Sequence, residues 1–215
     1  MASQRPPQHS PLQHAPLLGV FEKLVVDHIQ MPQVSDSMTG QKVSYILSLV
    51  DQANHWVELI PVPDCTAKTT ARAIHTHWIS RYGAPKTLQS DLGSAFVSKL
   101  FQELCSLYNI EHATASSQNH KSVSRAEVTH RLLRTTLRKV YAQNPNWSEW
   151  LPEIQLSLRS SIVTTTGLSP AFMIFHRELC KINKYVWIYH FHLMLQRCKI
   201  NQSWNRQKQQ DLQMN

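Results

Sequence analysis

The sequence predicts an α/β fold, a mixed five-stranded sheet flanked by helices, and three observations predict it. Three β-rich runs come first. The apolar spacing then switches to the helical period near Thr66, and short β-rich runs afterwards alternate with helical ones in the order β-β-β-α-β-α-β-α-α.

Taken in order, "FEKLVVDHI" (Phe21 to Ile29) reads as the first strand, with an aspartate near its end. "KVSYILSLVD" (Lys42 to Asp51) and "HWVELIPV" (His55 to Val62) are separated only by "QAN", which predicts an antiparallel hairpin. Ala67, Ala71, Ile74 and Trp78 then fall on one helical stripe, which "RYGAP" ends with Gly83 and Pro85. "KTLQS" is a short strand leading into Asp91. Phe96 to Tyr108 is a second helix with Phe101, Leu104 and Tyr108 on one face, and "NIEHAT" a fifth strand. After a Ser/Gln/Asn-rich loop (Ser116 to Asn119), a long helix is expected from about Ser122 to Ala142 and another from Trp147 to Ser160.

Length and composition bound the rest. The 215 residues allow one domain with a real core plus tails, and the expected division is an unfolded leader over 1–18, a core domain over 19–179 and a basic tail over 180–215. A formal net charge of +8 points to a polyanionic partner such as nucleic acid. The four cysteines, Cys65, Cys105, Cys180 and Cys198, are scattered without zinc-site spacing and are expected to be reduced thiols inside a cell. The most apolar late run, Tyr185 to Leu195, is well short of the roughly 20 residues that span a bilayer, so a soluble protein is expected.

Three carboxylates carry the candidate chemistry. Asp27 ends the first strand, Asp91 follows the fourth, and Glu127 lies early in the long helix, 35 residues separating the last two. Singly, each has an ordinary reading as a strand-end residue, a turn former and a helix N-terminal charge. Together they suit phosphodiester chemistry, in which two divalent ions about 3.5–4 Å apart activate a nucleophile and stabilise the leaving oxygen. Hard carboxylate ligands favour Mg²⁺ or Mn²⁺. The trio is therefore expected to converge at one end of the sheet. Around Glu127 the basic residues Lys121, Arg125, Arg131, Arg134, Arg138 and Lys139 stand against Glu127 as the one acid, and Arg131, Arg134 and Arg138 share its helical face. Such a ridge is either a solvated helix face or a track for a phosphate backbone.

The stretch from "VELIPVPDCTAKTTARAIHTHWISRYGAPKTLQSDLGSAFVSKLFQELCSLYNIEH" to "WLPEIQLSLRSSIVTTTGLSPAFMIFHREL" resembles the catalytic core of integrases from gypsy-type LTR retrotransposons and, more distantly, of retroviruses. The resemblance runs from about Phe21 to Leu179. It implies a ribonuclease H-like fold, a first aspartate in a motif like "VVDHIQMP", a second in S-D-x-G-x-x-F and a glutamate after a 35-residue gap, to which Asp27, Asp91 and Glu127 correspond. It further implies Mg²⁺ or Mn²⁺ as cofactor, DNA as partner, a homo-oligomer, a nuclear location, and DNA contacts from basic residues on the glutamate helix.

Where the family carries a stretch like H-P-Q-S-N-G, this chain has "NHKSVS" (Asn119 to Ser124), and past Leu179 it does not resemble the family's β-barrel domain. The resemblance also implies a zinc domain that precedes the core, so a truncated or decayed element copy is expected. Three activities thus stay open: DNA strand cutting and joining, nucleic-acid binding without catalysis, and a ribonuclease H-type nuclease. The pairs His75/His77 and His190/His192 lack further metal ligands, Trp56 and Trp78 read as core aromatics, and Asp51 and Asp64 as loop acids.

Overall fold

The structure, a computed structural model, describes residues 19–114, 133–138, 141, 145–164 and 166–179. Strands β1 (Lys23–Ser35), β2 (Lys42–Asp51) and β3 (Val57–Val62) form an antiparallel meander. Strands β4 (Thr87–Ser90) and β5 (Glu111–Thr114) add parallel to β1, giving the order β3-β2-β1-β4-β5. The mixed five-stranded sheet and the β2–β3 hairpin are as the sequence predicts.

Alternation along the strands sends side chains to two apolar layers. Leu24 and Val26 of β1, with Leu47, Leu49 and Leu88, pack beneath helix α1 (Ala67–Ile74), a π-turn (His75–Ile79), α2 (Ser80–Tyr82) and α3 (Lys99–Leu107). On the other face Ile46, Val50, Val57 and Leu59 meet Leu133 and Leu137 of a helical segment over 133–138 (α4), and Trp147, Leu151 and Ile154. The last three belong to a 3-10 turn (Trp147–Trp150) and helix α5 (Leu151–Arg159). A short helix the sequence reading did not expect, α6 (Pro170–Phe175), returns to the first layer through Ala171.

Strand β1 runs past the expected end at Ile29 because a bulge absorbs Pro32. Its pairing with β2 shifts between Gln30 and Val34, and the Trp147 indole N–H donates to the Pro32 carbonyl at 2.7 Å. A proline has no N–H to lose there, and the fully buried Trp147 supplies the donor its carbonyl needs.

Three helices begin at side-chain caps, Thr66 accepting from the Thr69 N–H, Ser98 from the Phe101 N–H and Ser169 from the Phe172 N–H. The buried stripe of α1 is Thr70, Ala73, Ile74 and Trp78, rotated from the expected Ala67-Ala71 line. Thr70 escapes an apolar count, yet its hydroxyl donates to the Thr66 carbonyl at 2.8 Å, so it is buried satisfied. In α3, Phe101 is buried as expected and Cys105 joins it; burial pushes the Cys105 thiol pKa up.

Strand β3 is an edge of the sheet, and α5 covers it. The Leu59 N–H donates to Gln155 Oε1 at 2.9 Å, Arg159 donates to the Val57 carbonyl at 2.7 Å through Nη2, and Pro61 has no donor to expose. Arg159 continues to the buried Glu58 at 2.7 Å, and the Tyr82 hydroxyl also donates to Glu58, at 2.6 Å.

The leader over 1–18, the loop from Ser116 to Asn119, most of the expected long helix, and the tail over 180–215 lie outside the described residues.

Candidate active site

The site begins with strand register. Strands β1 and β4 are parallel neighbours with Val25 opposite Gln89; Asp27 lies two residues further along β1, and Asp91 directly follows Ser90, the last residue of β4. Leu24 and Val26 face the α1 side, so Asp27 faces the other, as does Ile29. Asp91 follows the end of β4, in the loop beyond Ser90.

The loop after β4 holds Asp91 in a tight turn. Asp91 Oδ1 accepts the Gly93 N–H at 2.9 Å, and a β-carbon on residue 93 would lie 3.0 Å from that oxygen. Three residues on, Phe96 is buried and its ring lies 4.9 Å from the His28 ring. The spacing of "SDLGSAF" therefore has a local cause: glycine makes way for the carboxylate, and phenylalanine anchors the loop in the core.

Helix α4 supplies the facing charge. Leu133 and Leu137 are buried, while Arg134 and Arg138 are exposed, so the segment is amphipathic as expected. Arg134 Nη2 lies 2.9 Å from Asp27 Oδ2 in an ion pair whose side chains are 56% and 20% exposed. Sequence reasoning expected Arg134 on a phosphate-tracking ridge; here its guanidinium stands as the counter-charge of Asp27. Glu127, Lys121, Arg125 and Arg131 lie outside the described residues; of the expected site residues the structure pairs Asp27 with Arg134.

Several residues near the site were not singled out from sequence. His28 Nε2 lies 3.0 Å from Thr70 Oγ1 on the opposite sheet face. Since that hydroxyl's hydrogen goes to the Thr66 carbonyl, Nε2–H is the donor. Burial lowers the His28 pKa, against the field of Asp27, Asp91 and Asp64. Asp64 is a loop acid with partners, accepting from the Thr66 N–H at 3.0 Å and hydroxyl at 2.7 Å, and the Thr66 hydroxyl holds its pKa below the usual range. Asp51 is not a loop acid: it is the fully buried last residue of β2. Ser90 and His112 are a third such group. Of these, His28 and Ser90 adjoin Asp27 and Asp91 in sequence, and His112 carried no advance signal.

Whether the donors suit a divalent cation is a matter of their chemistry. Asp27, which already draws a cationic side chain, and Asp91 are hard carboxylate donors and by that chemistry fit such an ion. Among the described residues no group of three or more His, Cys, Asp or Glu side chains is close enough to complete a metal site. Among the described residues, too, no helix is long and apolar enough to cross a membrane.

Residues 24–120 match the integrase core domain family. The chain is 26% identical over 159 residues to the retrovirus-related Pol polyprotein from transposon 412 of Drosophila melanogaster, covering 73% of this chain and 12% of the polyprotein. It is 27% identical over 172 residues to gypsy retrotransposon integrase-like protein 1 of Rattus norvegicus, covering 80% of this chain and 32% of that protein. The chain thus spans under a third of the length of either relative. Its fold is that of the catalytic core domain of BIV integrase, with a TM-score of 0.58 at 22% identity over 73% of this chain and 95% of that one. The dimeric HTLV-2 integrase catalytic core in complex with magnesium gives a TM-score of 0.55 at 22% identity over 72% and 97%. Residues 24–120, which hold both Asp27 and Asp91, are therefore an integrase core domain of the kind carried by retroviruses and gypsy-type retrotransposons.

Proposed function

We propose that this chain is the core of a divalent-metal-dependent polynucleotidyl transferase that cuts and joins DNA strands during integration. The observation that supports the reading is that the neighbouring parallel strands β1 and β4, with Val25 opposite Gln89, lead to Asp27 and Asp91, and that Arg134 pairs with Asp27. In this reading Asp27, Asp91 and Glu127 hold Mg²⁺ or Mn²⁺. When bound, such ions lower the pKa of the attacking hydroxyl and stabilise the leaving oxygen.

The chain's own residues then do the rest. Gly93 and Phe96 keep Asp91 in its turn, and Arg134 balances Asp27 until a phosphate backbone competes for the guanidinium. Lys121, Arg125, Arg131, Arg134 and Arg138 draw DNA to a carboxylate cluster that by itself would repel it. Residues 19–179 form the working domain, and the integrase neighbours, which include dimeric and trimeric forms and an intasome, support a homo-oligomer acting on DNA. That chemistry belongs in the nucleus.

The test is strand transfer on oligonucleotides with Mn²⁺ or Mg²⁺, the chain set against Asp91→Asn. Joined product from the parent and none from the variant is expected. A parent that binds DNA without joining it would overturn the transferase reading in favour of binding without catalysis, which the "NHKSVS" replacement just before Glu127 favours.

A further inference from the structure

Beside Asp91, the Ser90 hydroxyl lies 2.9 Å from the Asp91 carbonyl and 2.8 Å from His112 Nε2. A carbonyl only accepts, and a hydroxyl has one hydrogen. Both contacts are made at once only if Ser90 donates to the carbonyl and His112 donates its Nε2–H to Ser90. The arrangement persists whether or not the imidazole is charged, since Nε2–H is present in both states.

Each member is held from outside the loop. Ser90 is 2% exposed at the last position of β4, opposite Thr114. His112 sits in β5 opposite Leu88, its ring 5.3 Å edge-to-face from Phe101, which lies 5.3 Å from Phe96. The core layer, the neighbouring strand and the loop that carries Asp91 are thereby joined through one hydroxyl. Nothing else among the described hydrogen bonds reaches the Asp91 carbonyl.

We propose that His112 and Ser90 are positioning residues, a two-step donor relay that pins the Asp91 peptide and so keeps its carboxylate in place. This rests on the reading of Asp27 and Asp91 as the reacting pair. A carboxylate at a strand end can swing with its peptide plane, and the Gly93 turn restrains only the side-chain oxygen. The relay restrains the backbone that carries it. Groups that orient a ligand in this manner change metal affinity about 10–100-fold when removed.

Four variants of the full chain test it: Ser90→Ala, His112→Phe, His112→Gln and Asp91→Asn. The amide Nε2 of glutamine replaces the imidazole donor. Two quantities are read: the ¹³C shift of the Asp91 carbonyl, which follows its hydrogen bond without metal, and Mn²⁺ affinity from the paramagnetic signal of the free ion. Ser90→Ala and His112→Phe should shift the carbonyl resonance in the same sense and weaken Mn²⁺ binding about tenfold. His112→Gln should stay within about twofold of the parent, a rescue that a merely space-filling ring would not give. An unmoved carbonyl in both Ser90→Ala and His112→Phe overturns the relay. A moved carbonyl with unchanged Mn²⁺ affinity, while Asp91→Asn loses the ion, overturns the positioning role. Unchanged Mn²⁺ binding in Asp91→Asn overturns the metal-site reading instead, and the carbonyl shift still decides the relay. Should His112→Phe fail to fold, Ser90→Ala, which removes a single oxygen, decides alone.

Discussion

At residue 93 a β-carbon would stand 3.0 Å from Asp91 Oδ1, the oxygen that the Gly93 N–H already holds at 2.9 Å. Gly93→Ala must therefore move the carboxylate, and it should weaken Mn²⁺ binding about tenfold while the thermal midpoint changes little. An unaltered Mn²⁺ titration would show that the turn does not set the carboxylate. Arg134 makes the complementary case. Its pair with Asp27 is half exposed, so solvent screening limits the effect of Arg134→Ala on unfolding free energy to about 1 kcal/mol or less. What should change is binding: tighter Mn²⁺, weaker DNA, and a log K against log salt slope flatter by roughly 0.9 if one duplex phosphate contact is lost. A denaturant midpoint that collapses instead would make Arg134 an anchor for α4. Asp91, Gly93 and Phe96 were legible because their cause is local, a turn of six residues. Ser90 with His112, and Arg134 on Asp27, were not, since those pairings depend on which strands become neighbours and where a distant helix lands.

Helix α5 and strand β3 show the same division among elements. The helix was legible from its apolar period, and β3 from its β-rich run before Pro63. That the helix would seal the strand's open edge was not. Gln155 and Arg159 stand four apart, so one helical face meets the Leu59 N–H and the Val57 carbonyl as a sixth strand would. Arg159 also lies 4.2 Å from the Trp56 ring centroid and pairs with Glu58, whose side chain is 6% exposed. Burial first, then the bond to Glu58, raises the Tyr82 pKa, as a hydroxyl donating to a carboxylate should. Removing Arg159 alone leaves Glu58 with only Tyr82 and a 3.9 Å contact to Arg81. Arg159→Ala should therefore cost about 3–5 kcal/mol in urea unfolding, and adding Glu58→Gln should restore a substantial part. If the two losses simply add, the pair is not coupled and α5 is held by its apolar face alone. The π-turn at His75–Ile79 was likewise hidden: Trp78 is buried as its place on the helical stripe predicted, but the widened turn that carries it leaves no mark in the apolar spacing.

Over the whole molecule, the order of elements sufficed for the sheet class, because meander and crossover rules leave few ways to arrange three antiparallel and two parallel strands. Limited proteolysis should leave a core near residues 19–180, and protection of the full 215 residues would contradict the expected division. Charge inside the fold was less legible than the fold itself. Asp51 ends β2 fully buried; the Asn54 N–H donates to its Oδ2 at 3.2 Å, while Oδ1 has no hydrogen-bond partner among the described residues. Burial pushes its pKa up to about 6. The folded chain therefore holds that proton more tightly than the unfolded one, so stability from this group is complete below about pH 3.8 and is lost as pH rises through 6. The half-buried histidines His28, His77 and His112 act in the opposite sense, since partial burial lowers each pKa and the unfolded chain takes up protons first as pH falls through 6.5. A single pH curve mixes the two, but the difference between the parent and Asp51→Asn does not, because the histidines are common to both. Asp51→Asn should be more stable than the parent at pH 7.5, by up to about 3 kcal/mol, and this advantage should vanish near pH 4, where the parent carboxyl is itself neutral. Equal gains at both pH values would assign the effect to packing around residue 51 rather than to its charge.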